Sequence, residues 1–228
     1  MKILAISDEV VPRIYSAGIK TRFADVDLVL SCGDLPAYYL EYIVTMLNIP
    51  LYYVMGNHAE EITITPDGDL LGPGGCVDID GKVAECRGLL IAGLEGSMRY
   101  RSGPHQYTQA EMSRKALRLS VRLLRKRLAK GRWLDILVTH AAPLGIHDGS
   151  DLCHTGFRAF PKFMERFRPQ YLIHGHRHVY NRLQPTMTQY HDTMVINAHP
   201  YRVLEIEAPR NHREEIHSEP EGELGCAR

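Results

Sequence analysis

The amino-acid sequence predicts a mixed α/β sandwich, and two observations carry this prediction. Several candidate strands, such as Leu28–Ser31 and Ile136–Thr139, are continuous apolar runs rather than alternating ones. Continuous runs are typical of strands that are covered on both faces. Strand and helix candidates also alternate early in the chain, whereas its middle and end are rich in hairpin signals.

The candidate strands are short and are distributed along most of the chain. Asp80 and Gly81 lie between two of them and form a dipeptide that favours a two-residue hairpin. The predicted strands are residues 2–7, 28–31, 51–55, 76–79, 82–86, 89–92, 136–139, 171–174, a stretch around 188–196, and 202–206.

Three helices are predicted between these strands. The first covers residues 36–47 and has proline at its start. The second and longest covers residues 108–130, where Thr108 and Glu111 form a capping box that satisfies free backbone donors. One side of this helix is an apolar stripe, and the opposite side is rich in Arg and Lys. We interpret the Arg and Lys side as solvated surface. The third helix covers residues 156–166.

Length and composition indicate a single globular domain. The chain has 228 residues, which suffice for a sizeable core. We assign residues 1–208 to the domain and 209–228 to a polar C-terminal tail. Lys plus Arg equals Asp plus Glu at 27 each, so no global field favours nucleic acid or an anionic membrane.

The cysteines and the N-terminal segment indicate a cytoplasmic protein. Five cysteines without a CxxC pair are typical of free thiols in a reducing compartment. The first apolar run is too short for a signal peptide, and no run approaches the ~20 residues that span a bilayer. We therefore expect a cytoplasmic location and no membrane partner.

Potential metal ligands follow several apolar strands directly. Ligands bind near strand ends in open α/β sheets, so these segments are expected to converge on one site. Asp, Asn and His together favour first-row divalent metals over calcium, and no cysteine takes part in the pattern. Gly33, Gly56 and Gly175 would allow sharp turns and close backbone approach. The ligand candidates are Asp8, Asp34, Asn57, His58, His140, His176 and His178.

The ordered set of these residues resembles the signature of the calcineurin-like metallophosphoesterases, over residues 8–178. The resemblance implies two mixed β-sheets packed as a sandwich and flanked by helices. It also implies two divalent metal ions about 3.5–4 Å apart. We expect Mn²⁺, with Fe, Zn, Ni and Mg as alternatives. The reaction implied is in-line attack on phosphorus by a hydroxide that bridges the metals.

The resemblance also assigns a role to each position. Asp8 would bind the first metal and Asp34 would bridge both metals. His178 would also bind the first metal. His58 would lie near the scissile phosphate, where it would stabilise charge or protonate the leaving oxygen. The second metal would be held by Asn57, His140 and His176.

Two positions depart from the family pattern. The first block is normally Asp-x-His, but here Val10 stands in place of the histidine and cannot bind a metal. Three outcomes follow: water or substrate fills the position, Glu9 or a nearby loop residue replaces the histidine, or the first site is weak or empty. The acidic residue that often follows Asn-His is replaced by Ala59, which leaves His58 without that orienting partner.

Substrate contacts are predicted in two loops. Arg99 and Arg101 follow a strand end, and both could bind a phosphate group through bidentate hydrogen bonds. His147 follows the His140 segment and is the second predicted contact, beside Asp148. Three further residues near Asp34 would either line a pocket for a ring or simply pack: Tyr38, Tyr39 and Tyr42.

The sequence therefore predicts a hydrolase that cleaves a phosphate monoester or diester, the latter as a phosphodiesterase. Its partner would be a small phosphorylated substrate, and the balanced charge argues against a nuclease. The alternative is a metal- or nucleotide-binding protein of the same fold with weak or no turnover, because Val10 weakens the first site. The sequence carries no signal for oligomeric state.

Overall fold

Two β-sheets packed face to face form the centre of the protein, as predicted. The computed structural model describes residues 1–58, 63–64, 70–130, 133–180 and 183–206. Its fifteen strands are β1 (Lys2–Ile6), β2 (Leu28–Ser31), β3 (Leu51–Tyr53), β4 (Thr63–Ile64), β5 (Leu70–Leu71), β6 (Val77–Asp78), β7 (Val83–Cys86), β8 (Leu89–Leu94), β9 (Ser97–Met98), β10 (Gln106–Tyr107), β11 (Ile136–Thr139), β12 (Tyr171–His174), β13 (Met187–Tyr190), β14 (Thr193–Asn197) and β15 (Tyr201–Glu205).

The two large sheets are both mixed. The first sheet has the order β15-β1-β2-β3-β6, in which only β15 pairs antiparallel. The second sheet has the order β13-β14-β12-β11-β8-β7, with antiparallel pairs at both edges and parallel pairs in the middle. Because the central strands are parallel, their carboxyl ends lie at one edge of each sheet.

Alternate residues of the central strands point to opposite faces and pack into two different hydrophobic cores. In β1, Ile3 and Ala5 face the second sheet, whereas Leu4 and Ile6 face the helices outside the first sheet. In β11, Ile136 and Val138 face inward and Leu137 faces outward. A strand that is buried on both faces needs apolar residues at every position, which explains the continuous runs in the sequence.

Within the described residues, four helices cover the outer faces of the sandwich. Side chains of α1 (Ile19–Arg22) and α2 (Ala37–Leu47) pack on the first sheet. Side chains of α3 (Gln109–Lys130) and α4 (Ala159–Phe167) pack on the second. The predicted capping box is present, since the Thr108 amide donates to Glu111 Oε2 at 2.8 Å. None of the described helices is long and apolar enough to cross a bilayer.

Two strand predictions were wrong in detail. Asp80 and Gly81 do not close a hairpin, because β6 belongs to the first sheet and β7 to the second. The hairpin before the central strands is instead β7–β8, whose turn has positive φ at Arg87 (47°) and Gly88 (87°). The stretch 188–196 is two antiparallel strands, β13 and β14. The tail at 209–228 lies outside the described residues.

Candidate metal centre

Four of the predicted metal ligands lie together at the carboxyl edges of both sheets. Asp8 and Asp34 follow β1 and β2, whereas His140 and His176 follow β11 and β12. One donor atom from each of the four lies within 4.8 Å of the others. Residues far apart in sequence therefore form one cluster, because parallel strands deliver their carboxyl ends to the same place.

Left-handed backbone turns aim three of these side chains into the cluster. Asp8, Asp34 and His176 have φ values of 65°, 54° and 63°. This conformation is unfavourable for residues with a Cβ and persists where surrounding structure enforces it, commonly at functional sites. The chain thus leaves each strand sharply just before or at the donor residue.

Two glycines make this close packing possible. A Cβ on Gly56 would lie 1.9 Å from the Asp34 Oδ1 atom, and one on Gly175 would lie 2.7 Å from Asp8 Oδ2. Both distances are far inside van der Waals contact, so any larger residue would displace the carboxylates. The predicted close backbone approach at these glycines is confirmed.

His140 and Asp34 form the electrostatic centre of the cluster. His140 is fully buried, and its Nε2 lies 3.2 Å from Asp34 Oδ2 and 3.0 Å from the Asn57 Oδ1 atom. Its Nδ1 lies 2.7 Å from the Cys32 carbonyl oxygen, which can only accept, so Nδ1 carries a proton. That hydrogen bond fixes the ring with Nε2 facing the carboxylate.

His140 and Asp34 stabilise each other's charged form. Burial alone would lower the pKa of His140, but the Asp34 carboxylate outweighs it and raises the pKa to about 9. Burial alone would raise the pKa of Asp34, yet the His140 charge and a 2.8 Å hydrogen bond from the His58 amide hold it well below its ordinary value. Asp34 is therefore a carboxylate at neutral pH.

Asp8 and His176 form the other half of the cluster. The Asp8 carboxylate accepts a hydrogen bond from the His176 amide at 2.9 Å, and burial raises its pKa. Burial lowers the pKa of His176 to about 3, so its imidazole is neutral and has a free lone pair. A neutral imidazole and a carboxylate are ligand forms that divalent metals require.

The donor set fits divalent metal ions. Two buried carboxylates with two imidazoles, and Asn57 alongside, form a mixed oxygen and nitrogen site suited to first-row metals. Two carboxylates packed this closely repel each other unless positive charge lies between them. This chemistry agrees with the predicted centre, although the number and identity of the ions stay predictions.

The two remaining predicted residues lie at the rim. His178 is 42% exposed, and its Nε2 lies 3.9 Å from Asp8 Oδ1 while Nδ1 lies 2.7 Å from the Tyr180 hydroxyl. The His58 side chain is exposed and, with Asp34, lines a cavity of about 190 Å³ beside the cluster. Both lie beside the cluster and neither is buried in it, so their implied roles stay predictions.

Val10 packs away from the cluster, and a histidine from elsewhere lies nearby. Val10 contacts the apolar core outside the first sheet. His199, in the turn after β14, stacks on His178 with ring centroids 4.5 Å apart. Its Nε2 lies 3.8 Å from Glu9 Oε2. Sequence reasoning missed His199 because its segment lacks the glycine pattern of the other strand ends.

Both predicted substrate-binding residues contact other side chains of the protein. The Arg99 guanidinium donates to both Glu111 oxygens at 2.9 and 3.0 Å. The His147 nitrogens lie 3.0 Å from His174 Nε2 and 2.8 Å from Thr188 Oγ1. A substrate role for Arg99 and His147 therefore stays a prediction without support from these contacts.

The tyrosines after Asp34 pack rather than form a pocket. Tyr39 is fully buried, and Tyr38 and Tyr42 make edge contacts with the Tyr15 ring at 5.7 and 4.6 Å. None of the three lines the cavity next to Asp34.

Tyr100 and Cys153 approach the cluster and were not predicted to do so, and Arg101, a predicted phosphate contact, lies beside Tyr100. The Tyr100 hydroxyl accepts a hydrogen bond from Asn57 Nδ2 at 3.3 Å, and the Arg101 guanidinium lies over the Tyr100 ring. The Cys153 Sγ atom lies 3.7 Å from His176 Nε2. Cys153 is not part of the strand-end pattern, and it reaches His176 because a loop of polar residues returns over that side chain.

Known proteins share this fold, and a family model matches most of the sequence. A profile of the calcineurin-like phosphoesterase family matches residues 1–180. TT1561 of Thermus thermophilus is 14% identical, with a TM-score of 0.54 over 86% of this chain and 88% of that chain. GAP50, the anchor in the inner membrane complex of Plasmodium, is 12% identical, with a TM-score of 0.49 over 86% and 70%. A search of curated proteins found no significant match.

Proposed function

Since the chain belongs to the calcineurin-like phosphoesterase family, we propose that it hydrolyses a phosphate monoester or diester at a centre of two divalent metal ions. The observation that carries the proposal is the convergence of Asp8, Asp34, His140 and His176 from the two sheets. We propose Mn²⁺ as the metal and a small phosphorylated molecule as the substrate. The cytoplasm is the proposed location.

The residues of the cluster would hold the metals in distinct ways. Asp34 lies between the two sheets, with one oxygen held by the His58 amide and the other facing His140, so it supports the bridging role. Asp8 and His178 would hold the first metal, and Asn57, His140 and His176 the second. Bound divalent ions would supply a nucleophile at neutral pH and neutralise phosphate charge.

His58 is the residue best placed to meet the substrate. Its backbone is tied to Asp34, while its side chain is exposed at the cavity beside the cluster. An imidazole there can donate a hydrogen bond to a phosphate oxygen or a proton to the leaving oxygen. The hydrogen bond from its amide to Asp34 keeps the backbone of His58 beside the cluster.

Arg101 is a second candidate for contact with phosphate. Arg101 is exposed, and its guanidinium lies over the ring of Tyr100, whose hydroxyl accepts a hydrogen bond from Asn57. Among the described residues, no carboxylate holds its guanidinium in the way that Glu111 holds Arg99. A guanidinium in this position can bind phosphate through two parallel hydrogen bonds.

The second candidate function is metal or nucleotide binding with little or no turnover. Its support lies at the first metal position, where Val10 packs into an apolar core and His178 is half-exposed. Asp8 would then have fewer protein partners around its metal than Asp34 has. Weak occupancy of one metal would remove the charge on which hydrolysis depends.

One experiment separates these functions. The purified protein is stripped with chelator and reloaded with Mn²⁺, and metals per chain are counted by elemental analysis. The same samples are assayed with chromogenic phosphate monoesters and diesters. Two Mn²⁺ per chain with chelator-sensitive hydrolysis is the expected result. One or no Mn²⁺, with no hydrolysis of either ester, would favour the binding protein.

A further inference from the structure

A buried serine hydroxyl without a partner lies beside the candidate metal centre. Ser31 is the last residue of β2, three positions before Asp34, and is only 1% exposed. Its Oγ atom has no hydrogen-bond partner among the residues that the structure describes. Because burial of an unpaired hydroxyl is unfavourable, this position favours a bound molecule that can form a hydrogen bond with Ser31.

The strand register directs this hydroxyl toward the cavity that Asp34 and His58 line. Ser31 pairs with Tyr53 of β3, so the two side chains point to the same face of the first sheet. Val29, two residues before Ser31, packs with Tyr53 in the core outside that sheet. Ser31 and Tyr53 both line the cavity of about 190 Å³. The Ser31 hydroxyl therefore faces the cavity from the side of the sheet.

The other walls of the cavity are uncharged and largely apolar. Apart from Asp34 and His58, no described residue that lines the cavity has a charged side chain. A charged group would lose its water there without gaining an ion pair beyond these two residues, so the cavity favours an uncharged occupant. Its apolar walls come from the segment that leads into α2 and from the end of β3, and include Leu35, Pro36, Ala37, Leu40 and Met55.

The volume of the cavity limits its occupant to about one ring. An engineered apolar cavity of about 150 Å³ in another protein binds benzene. The cavity beside Asp34 has about 190 Å³, so it can enclose a six-membered ring with one small substituent. Larger groups would extend out of it into solvent.

We propose that this cavity binds the alcohol part of the phosphate ester, and that this part is a single uncharged ring with one hydroxyl group that pairs with Ser31. The inference rests on the proposed hydrolysis and names the class of substrate. With the ring in the cavity, the ester oxygen would lie toward His58 and Asp34, which line the same space. Ser31 is then a specificity-determining residue, because a ring without the hydroxyl leaves its Oγ atom unpaired.

Two esters that differ by one hydroxyl group test the role of Ser31. Protein loaded with Mn²⁺ is assayed with benzyl phosphate and 3-hydroxybenzyl phosphate, and the ratio of their kcat/KM values is measured. The wild type should prefer the hydroxylated ester, and Ser31→Ala should reduce that preference by about tenfold, the effect of one hydrogen bond. Ser120→Ala is the control, since Ser120 is also buried but donates to the Ala116 carbonyl on α3. An unchanged ratio in Ser31→Ala would overturn the assignment of Ser31.

A variant that fills the cavity tests the position of the ring. Ala37 lines the cavity at the start of α2, and Ala37→Leu adds three carbon atoms there. KM for benzyl phosphate should rise by about tenfold or more relative to KM for methyl phosphate, because the ring and the new side chain need the same space. Thr45→Leu is the control, since it adds bulk at an exposed position of the same helix. Equal KM changes for the two esters in Ala37→Leu would place the ring elsewhere.

Binding of an alcohol to the metal-free protein separates failure of the cavity assignment from failure of the proposed function. Metal-stripped protein is titrated with 3-hydroxybenzyl alcohol, and the backbone amide signals are followed by NMR. Signals of Leu35, Ala37 and Met55 should shift in the wild type, and the affinity should fall about tenfold in Ser31→Ala. Such binding without hydrolysis of any ester would refute the proposed function and leave the cavity assignment standing. Absence of binding in the wild type would overturn the cavity assignment, whether or not esters are hydrolysed.

Discussion

The Nε2 atom of His140 lies 3.2 Å from the Oδ2 atom of Asp34, and this contact joins the two sheets. Asp34 follows β2 of the first sheet and His140 follows β11 of the second. The contact sits at the carboxyl edge of both sheets, where the other ligand candidates also end. The candidate centre therefore depends on the packing of the sandwich as much as on any single strand.

Replacing Asp34 by asparagine should abolish hydrolysis. The change removes the charge that faces His140 and would leave two cations without a bridging carboxylate. We expect activity to fall by more than the ~100-fold that loss of an outer partner can cause. The rate of ester hydrolysis by the Asp34→Asn variant measures this fall in activity. The control is Asp25→Asn. The Asp25 side chain is 62% exposed and pairs only with Lys2 among the described residues. Full activity in Asp34→Asn would exclude the bridging role.

Gly56→Ala should displace the same carboxylate through steric contact alone. Its Cβ would lie 1.9 Å from Asp34 Oδ1, and a shift of about 1 Å in a reacting group can cost about 100-fold in rate. Metal content and hydrolysis are both expected to fall. Gly88→Ala is the control, since its Cβ would meet nothing within 4 Å and only its φ of 87° is unfavourable. Equal activity in the two variants would contradict this account.

Replacing Arg99 and replacing Arg101 should affect KM differently. Arg101→Ala is expected to raise KM for the phosphate ester by about tenfold, the cost of one lost charge-assisted hydrogen bond. Arg99→Ala should leave KM unchanged, because its guanidinium binds Glu111 and the Gln106 carbonyl. Steady-state kinetics of both variants on one substrate decide this. A larger KM effect in Arg99→Ala would restore the sequence-based assignment of that residue.

Lys115 should contribute strongly to stability. Its ammonium lies 2.7 Å from Asp80 and 2.9 Å from Glu95, and its side chain is only 16% exposed. Lys115→Met leaves two shielded carboxylates without their cation, so the free energy of unfolding should fall by about 2–3 kcal/mol. Urea denaturation measures the loss. Lys82→Met removes an exposed pair with Asp78 and should cost less than about 1 kcal/mol.

The same group of charges predicts a pH dependence of stability. Burial opposes ionisation of Glu95, but hydrogen bonding to His105 and the charge of Lys115 lower its pKa from 4.5 to about 2. A depressed folded-state pKa stabilises the protein above the unfolded pKa, and the contribution is lost as pH falls through the folded value.

Comparison of the wild type with Glu95→Gln measures this contribution. The difference in unfolding free energy should be constant above the ordinary pKa of 4.5 and shrink as the pH falls toward about 2. Urea titrations across this acid range provide the data. A difference that does not change with pH would show that Glu95 is not held ionised by Lys115 and His105.

Much of the architecture could be predicted from local patterns. The strands Leu28–Ser31, Ile136–Thr139 and Tyr171–His174 have the predicted bounds, because continuous apolar runs encode burial on both faces. The capping box at Thr108 also formed as predicted, since it involves neighbours three residues apart. The helix predicted at 156–166 began later, at Ala159, because Phe157 instead forms a bridge with Pro143.

The order of the ligand candidates was likewise visible in the sequence alone. Each of Asp8, Asp34, His140 and His176 follows an apolar run, and a strand must end where polar side chains and glycine begin. Their convergence follows from the parallel arrangement of the central strands. Local burial and turn signals therefore determined the fold class and the main cluster.

Only the tertiary structure decided how the remaining polar side chains are used. Arg99 and Arg101 look alike in sequence, yet Glu111 on α3 holds the first and leaves the second near Cys153. Cys153 and His199 reach the site from loops that carry no strand-end pattern. Such contacts join residues far apart along the chain, so they depend on sheet packing and loop geometry that local sequence does not encode.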